Sequence, residues 1–489
     1  MPRLVRWLWA ALMLALPFSS FPLISRTLGV QSVAALSVVF LFILLVVWCL
    51  PYLWHGGRLP LAAIPILAFV LVALFATFGS MFIDMPAFRD FSRWRNTVEN
   101  LVTLGVGISA YLIASSWPAE KKDFDHLLRW LNYGGALIIL WSGIQAYYAF
   151  ITGVYPAWLE TIQGWISSSG LLYFRRVTGL AFEPSWLAHM LNLIYLPWWL
   201  AASLNKTTVH RFRLWHISLE NLLLVGGIGV LFASYSRIGW LAFLVVAAFV
   251  ILNLNLRLIG WLRGVITRRW SRPFWQTVGR TALPIVLSIG LVGVYAGMFL
   301  GAGFGLSKLD PRMAQLFDVQ TLKEEGVLMF SSRLVFAERL VFWQTGYEIF
   351  NDHPVLGVGL GNAGYYFPEK MVAFGYGLTE ISQMLFENSS LPNTKSLWSR
   401  LAAETGLAGL GIFLTWMVIQ YACARTLTKA KDRQFRALGW FGQFVLVALL
   451  IEGFSVDTFA LPYFWLALGI VTAGFTVWVN VAEQADPVD

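Results

Sequence analysis

Arg237 stands in the run Ser234-Tyr235-Ser236-Arg237-Ile238-Gly239-Trp240, between two apolar stretches that leave almost no connection. A guanidinium held there is either a snorkelling anchor at an interface or part of a polar pocket, because charge in apolar surroundings is costly without a partner or a task. Arg175 and Arg176, Lys395 and Arg400 also border apolar stretches, and Arg339 lies in an amphipathic run. Guanidinium binds phosphate oxygens in a planar fork and stays charged. Arg176, Arg237, Arg339 and Arg400, with Lys395 and the neighbouring Asn393, are therefore a set suited to holding a pyrophosphate.

Acid and base groups are sparser. His353 lies in Asn351-Asp352-His353-Pro354-Val355-Leu356-Gly357-Val358-Gly359-Leu360-Gly361-Asn362. Its imidazole suits proton transfer near neutral pH, and equally suits capping the helix that ends near Asn351. Glu183, ahead of Pro184-Ser185-Trp186, reads either as a cap at a helix start or as a carboxylate at a site. His189 reads as a satisfied interior residue, with no second His or Cys at metal spacing. Arg400 and Glu404, one helical turn apart, also fit a simple ion pair. The spacing Gly359-x-Gly361-x-x-Gly364 matches a dinucleotide fingerprint, but no strand-helix-strand unit surrounds it. A tight turn that brings backbone close to a neighbour explains those glycines better.

The elements that must position these groups follow from composition. Of 489 residues 58% are hydrophobic and 12% charged, against about 25% charged in soluble chains. Cys49 and Cys423 lie in apolar runs and form no disulfide framework or metal pattern. The net charge of +9 is carried on residues that bracket apolar runs, which favours lipid headgroups over nucleic acid as the partner. Neither cofactor nor metal is expected.

Twelve stretches reach the roughly 20 apolar residues that cross a membrane as helix: about 7–24, 32–54, 61–83, 97–115, 130–152, 184–203, 215–234, 238–255, 281–303, 396–422, 437–456 and 459–481. Arg3 and Arg6 before the first stretch imitate a secretory signal, but no small-residue cleavage site follows. It reads as a retained helix, broken at its far end by Pro17 and Pro22. Lys and Arg crowd alternate connections, including Lys121, Lys122, Arg129, Lys206, Arg211, Arg213 and the cluster from Arg257 to Arg280. The positive-inside rule then puts both termini in the cytoplasm and the acidic tail inside. The expected fold is all-α and polytopic, with about twelve transmembrane helices. Residues 1–305 form nine of them, 306–394 one large external loop, and 395–489 the last three with the tail. Within the loop Phe336, Leu340, Trp343, Tyr347 and Phe350 fall at helical spacing and predict an amphipathic helix whose apolar face they form.

The Ser236-Arg237 turn, Arg339-x-x-x-Trp343, Asp352-His353-Pro354-x-x-Gly357-x-Gly359 and the span that begins near Asn393 and runs through Ala403-Glu404-Thr405-Gly406 resemble the bacterial O-antigen ligase and O-antigen polymerase superfamily. The resemblance covers roughly Thr178 to Phe413. It implies a GT-C-like, inverting, metal-independent glycosyltransferase in the bacterial inner membrane, with its site facing the periplasm. The donor it implies is an oligosaccharide on undecaprenyl pyrophosphate. The acceptor is a glycan, either a lipid-linked repeat unit or lipid A-core. By the resemblance Arg237 and Arg339 hold the pyrophosphate and stabilise the leaving group, and a base deprotonates the acceptor hydroxyl. Ligases of the family tend to carry a His-Asn pair where this chain has Pro392-Asn393. His353 is then the first choice of base, with Glu183, Glu380 and Glu387 as substitutes, and polymerase is favoured over lipid A-core ligase. Readings from other classes are a transporter or lipid-glycan flippase, for which Glu220 and Glu452 are the available carboxylates, and a non-catalytic assembly partner.

Overall fold

A computed structural model describes residues 3–24, 35–215, 217–268, 273–309, 323–324, 331, 336–387 and 391–485. Arg26, Arg333, the centre of the Arg257 to Arg280 cluster and the end of the acidic tail lie outside them. In chain order the main helices are α1 (Arg3–Ala15), α2 (Ser37–Trp54), α3 (Leu61–Phe82), α4 (Arg93–Ser116), α5 (Lys121–Thr152), α6 (Ala157–Ile166), α7 (Pro184–Leu204) and α8 (Leu219–Ala233). There follow α9 (Arg237–Arg268), α10 (Pro273–Leu309), α11 (Ala337–Asp352), α12 (Thr379–Phe386), α13 (Leu397–Leu427), α14 (Arg433–Glu452) and α15 (Tyr463–Ala485). Among the described residues ten of these are long and apolar enough to cross a membrane. The chain is an all-α, multi-pass membrane protein.

The two remaining expected spans are shorter helices. α1 has 13 residues and stops at Ala15, two before Pro17, which cannot continue a hydrogen-bonded turn. α8 has 15, because the residues ahead of it form a short antiparallel pair in which Arg213 pairs with Ser218 and Leu214 with Ile217. Conversely, α9 runs on to Arg268 and α10 begins at Pro273, so that the two take up most of the Arg257 to Arg280 cluster, which the sequence suggested was a connection.

Two compact units are distinguished. The first comprises Met1–Phe243, Gly346–Phe367 and Asn393–Asp489. Its centre is α7 and α14, which bury 83% and 78% of their apolar windows against 22% for α2. Large side chains fill it, among them Trp198, Trp199, Trp416 and Trp465. Two networks of paired polar groups run through this core, as burial favours. Asn132 donates to Glu220 (3.1 Å) and accepts from the indoles of Trp198 and Trp199 (3.1 and 2.9 Å). Gln420, Tyr111 and Thr472 close a second buried network, at 2.8 to 3.1 Å. One end of the unit is tied by basic connections. Arg129 donates to the Val209 carbonyl (3.1 Å), Arg436 to Asn205 (3.0 Å), and Lys121 pairs with Asp432. Burial opposes ionisation of Asp432, but Lys121 and the amides of Gln434 and Phe435 hold its carboxyl below the ordinary range.

The second unit comprises Leu244–Thr345 and Pro368–Pro392. Asn255 on α9 hydrogen-bonds Tyr295 on α10. The first turns of α11 pack with residues 371–375, where a Cβ on Gly375 would meet Val341 at 2.8 Å. α11 is the expected helix with a different buried face. Ala337, Val341, Phe342, Thr345 and Ile349 are buried, whereas Tyr347 is 57% exposed. Smaller residues at i and i+4 let the backbone approach its neighbours closely, which the bulkier aromatic row would prevent.

Candidate active site

The turn ahead of α9 is the best-defined feature. Val177 donates its N–H to the Ala233 carbonyl (3.0 Å), and Arg176 Nε donates to the Ser234 carbonyl (3.2 Å). Tyr235 turns the chain at φ +50°. The Ser236 hydroxyl accepts from the Gly239 N–H at 3.4 Å and so caps α9, placing Arg237 in its first turn. A cation there opposes the helix dipole, whose positive end lies at the same place. Two guanidinium groups and a helix start therefore share one turn, and their combined field suits an anion.

The Arg176 strap is held from below by two buried glutamines. Gln145 Oε1 accepts from the amides of Thr178 and Gly179 (3.1 and 2.7 Å), and its NH2 donates to Gln163 Oε1 (2.9 Å) and the Gly179 carbonyl (3.2 Å). Gly179 needs φ +60°, and a Cβ would meet Ser142 Oγ at 2.8 Å. Beyond the strap Glu183 precedes α7, and its carboxylate accepts the Ser185 hydroxyl. Tyr173 stands within reach of both charges. Burial pushes its phenol up, the Glu183 carboxylate adds to this, and Arg176, 5.8 Å from the ring centre, opposes it.

Beneath this turn lies a cluster the sequence reading did not assemble. Glu452, the last residue of α14, is fully buried. One carboxylate oxygen meets His189 Nδ1 at 2.6 Å and the other accepts from Asn192 at 2.6 Å. Asn192 also donates to the Gly239 carbonyl (2.8 Å), in the turn that follows Arg237. It sits in a wide helical turn, Leu191–Tyr195, just before Pro197, whose missing N–H weakens the regular ladder. The next carbonyl of α14, that of Gly453, accepts from Leu397 N (2.7 Å) and Ser396 Oγ (3.1 Å) at the start of α13. There Asn393 Oδ1 accepts from Lys395 N (3.1 Å), and Lys395 adopts φ +51°. Arg176, Arg237, Glu183, Asn393 and Lys395 are thus carried on connected segments of one unit.

Arg400 is committed elsewhere. It pairs with Glu404 (2.9 Å), donates to the Asp457 carbonyl (2.5 Å) and to Asn100, and lies 4.9 Å from the Phe459 ring centre. One turn on, α13 breaks at Gly406, and the His353 segment docks into the break. Val358 and Gly359 donate to the carbonyls of Ala403 and Glu404 (both 2.9 Å), while Leu407 and Ala408 donate to those of Pro354 and Val355 (2.8 and 3.2 Å). Gly357, Gly359 and Gly361 all have positive φ. A Cβ on Gly357 would fall 2.5 Å from the Ala403 carbonyl oxygen, so these glycines serve close backbone approach. His353 is half-buried at the end of α11, with its ring edge-on to Tyr366 at 5.7 Å. Arg339 lies in the first turn of α11 within the second unit, as do the exposed Glu380 and Glu387.

Gln145, Gln163 and Asn192 went unassigned at the sequence level, and Glu452 was named there only as a carboxylate available to a transporter. Glu452 carried a readable signal, a carboxylate at the end of the apolar run Leu449-Leu450-Ile451, which burial must pair. Over residues 221–414 the chain matches the family model described as O-antigen ligase. The match bears out the resemblance to the O-antigen ligase and polymerase superfamily and supports a glycosyltransferase of that type. It spans Arg237, Arg339, His353, Asn393, Lys395 and Arg400, whereas Arg176, Glu183, His189 and Glu452 fall outside it. Comparison with curated proteins gave no match.

Proposed function

From the O-antigen ligase match over residues 221–414 and the geometry of the turn ahead of α9, we propose that the chain moves a glycan from undecaprenyl pyrophosphate to an acceptor sugar hydroxyl, with inversion, and so polymerises a surface polysaccharide. The observation that carries the reading is the turn ahead of α9, where Arg176 bonds the Ser234 carbonyl and Arg237 opens the capped helix, with Asn192 and Glu452 linking it to the segments that bear Glu183 and Lys395. As the anomeric bond breaks, charge grows on the pyrophosphate. Preorganised guanidinium groups act on that charge at the transition state, where one such donor is worth about 100- to 1,000-fold in rate. By the family pattern Arg339 is a further candidate for holding the pyrophosphate. Asn393 and Lys395 border the same site, and Arg400 acts by fixing the start of α13. Glu183 and His353 are the sequence's candidates for accepting the hydroxyl proton.

The basic connections joined at one end of the first unit support an inner-membrane orientation with both termini in the cytoplasm and residues 306–394 outside. The polymerase reading is favoured over transfer to lipid A-core by Pro392-Asn393, which replaces the ligase His-Asn pair. Purified protein incubated with a lipid-pyrophosphate-linked repeat unit tests both. A ladder of products without lipid A-core marks a polymerase, and a single transfer that requires it marks a ligase. R237A and R339A abolish either product while the protein still folds and inserts. Full activity in both variants overturns the reading.

A further inference from the structure

Among the buried polar groups of the first unit, the His189–Glu452 pair is set apart by what it leaves available. His189 Nδ1 faces Glu452 at 2.6 Å, while Nε2 has no hydrogen-bond partner among the described residues and is not one of the sealed, unpaired polar atoms. About 3% of the side chain remains accessible. Glu452 is held on both oxygens, by His189 and by Asn192, so its position is fixed from two helical turns. A carboxylate that accepts from Nδ1–H fixes the ring tautomer and orientation and leaves the lone pair on Nε2, the arrangement that makes an imidazole a general base. The pair lies under the candidate donor site. Asn192 bonds the carbonyl of Gly239, two residues past Arg237, and Gly453, next to Glu452, anchors the segment after Lys395.

We propose that His189, oriented by Glu452, is the base that takes the acceptor hydroxyl proton, a role that rests on the glycosyl transfer proposed above. The hydroxyl oxygen bonds the anomeric carbon. The bond from that carbon to the pyrophosphate oxygen breaks, and its electron pair leaves with the lipid pyrophosphate. The proton passes to Nε2, the resulting imidazolium is balanced by the Glu452 carboxylate, and water removes the proton after product release. Glu452 and Asn192 are positioning residues. The place of the base is thereby filled from α7 and α14 in a chain that lacks the histidine at Pro392, and the near-complete burial keeps bulk water from competing with the acceptor.

The test uses full-length protein in detergent or nanodiscs, with a lipid-pyrophosphate-linked oligosaccharide as donor. Three quantities are measured on each variant: melting temperature, donor binding and steady-state transfer. H189Q keeps the first two and loses kcat by about 100-fold or more with little change in KM, the scale of general-base catalysis. E452Q lowers kcat with KM and melting temperature unchanged, and E452D recovers part of it, which a purely structural carboxylate would not do. E183Q and H353Q, measured alongside, keep more activity than H189Q. Near-wild-type kcat in folded H189Q, or loss of donor binding in step with activity, overturns the assignment. Should H189Q fail to fold, H189N and E452Q are read by the same criteria, and a folded E452Q with full kcat overturns it. These outcomes are separable from the parent reading, which fails on full activity in R237A and R339A whatever H189Q does.

Discussion

Gly406 has φ +62° and ψ −165°, a conformation that other residues adopt only under strain, and a Cβ there would collide with the Val355 carbonyl. G406A is expected to lose about 1–3 kcal/mol of stability, read as a lower melting temperature. G411A, one turn further along α13 with open space around it, is the control and is neutral or slightly stabilising. Arg400 makes a second residue-level case. R400A leaves Glu404 buried without its cation, a loss on the order of 3–5 kcal/mol. Its activity is expected to fall with its melting temperature, and normal stability with impaired donor binding would return Arg400 to direct contact with substrate. The Arg400–Glu404 pair was legible as an i, i+4 spacing. Its further acceptors, Asn100 and the Asp457 carbonyl, come from distant chain positions that no local pattern marks. The same holds for His189 and Glu452, 263 residues apart. Each was visible as an ionisable group in an apolar run, and only the packing of α7 on α14 pairs them.

Helices were legible from apolar runs, and their ends from local chemistry where that chemistry was strong. Pro17 was read as a break, and α1 stops before it. The start of α8 was not legible, because the short antiparallel pair of Arg213 to Ser218 depends on cross-strand pairing rather than on hydropathy. The face of α11 was misjudged for a related reason. Aromatic residues at helical spacing mark a possible apolar face, but close packing selects the row of Ala337, Val341 and Thr345. The connection between α7 and α8 also carries a pH dependence. Burial lowers the proton affinity of His210, Arg129 lowers it further, and Glu220 opposes both. With its folded pKa below the unfolded value near 6.5, the unfolded chain binds the proton more readily, so stability is present above that value and falls as pH drops through the window beneath it. Melting temperatures between pH 7.5 and 5 are expected to fall less steeply in H210N than in wild type. Equal slopes would remove His210 from the cause.

At the scale of the whole molecule, ten apolar helices among the described residues agree with the membrane class suggested by composition, and the O-antigen ligase match over residues 221–414 agrees with the resemblance carried by the motifs. The turn that carries Arg176 and Arg237 suits the glycosyl transfer proposed above. Arg176 is bonded to the loop carbonyl of Ser234, and Arg237 stands in the first turn of the capped α9. Two buried carboxylates are held in place as well, Glu220 through one oxygen by Asn132 and the Val209 amide, and Glu452 through both by His189 and Asn192. The most direct test is transfer by purified protein from a lipid-pyrophosphate-linked repeat unit, with wild type and R237A side by side and matched for folding. Glycan extension by wild type and none by R237A is the predicted result, and equal extension by both would contradict the account.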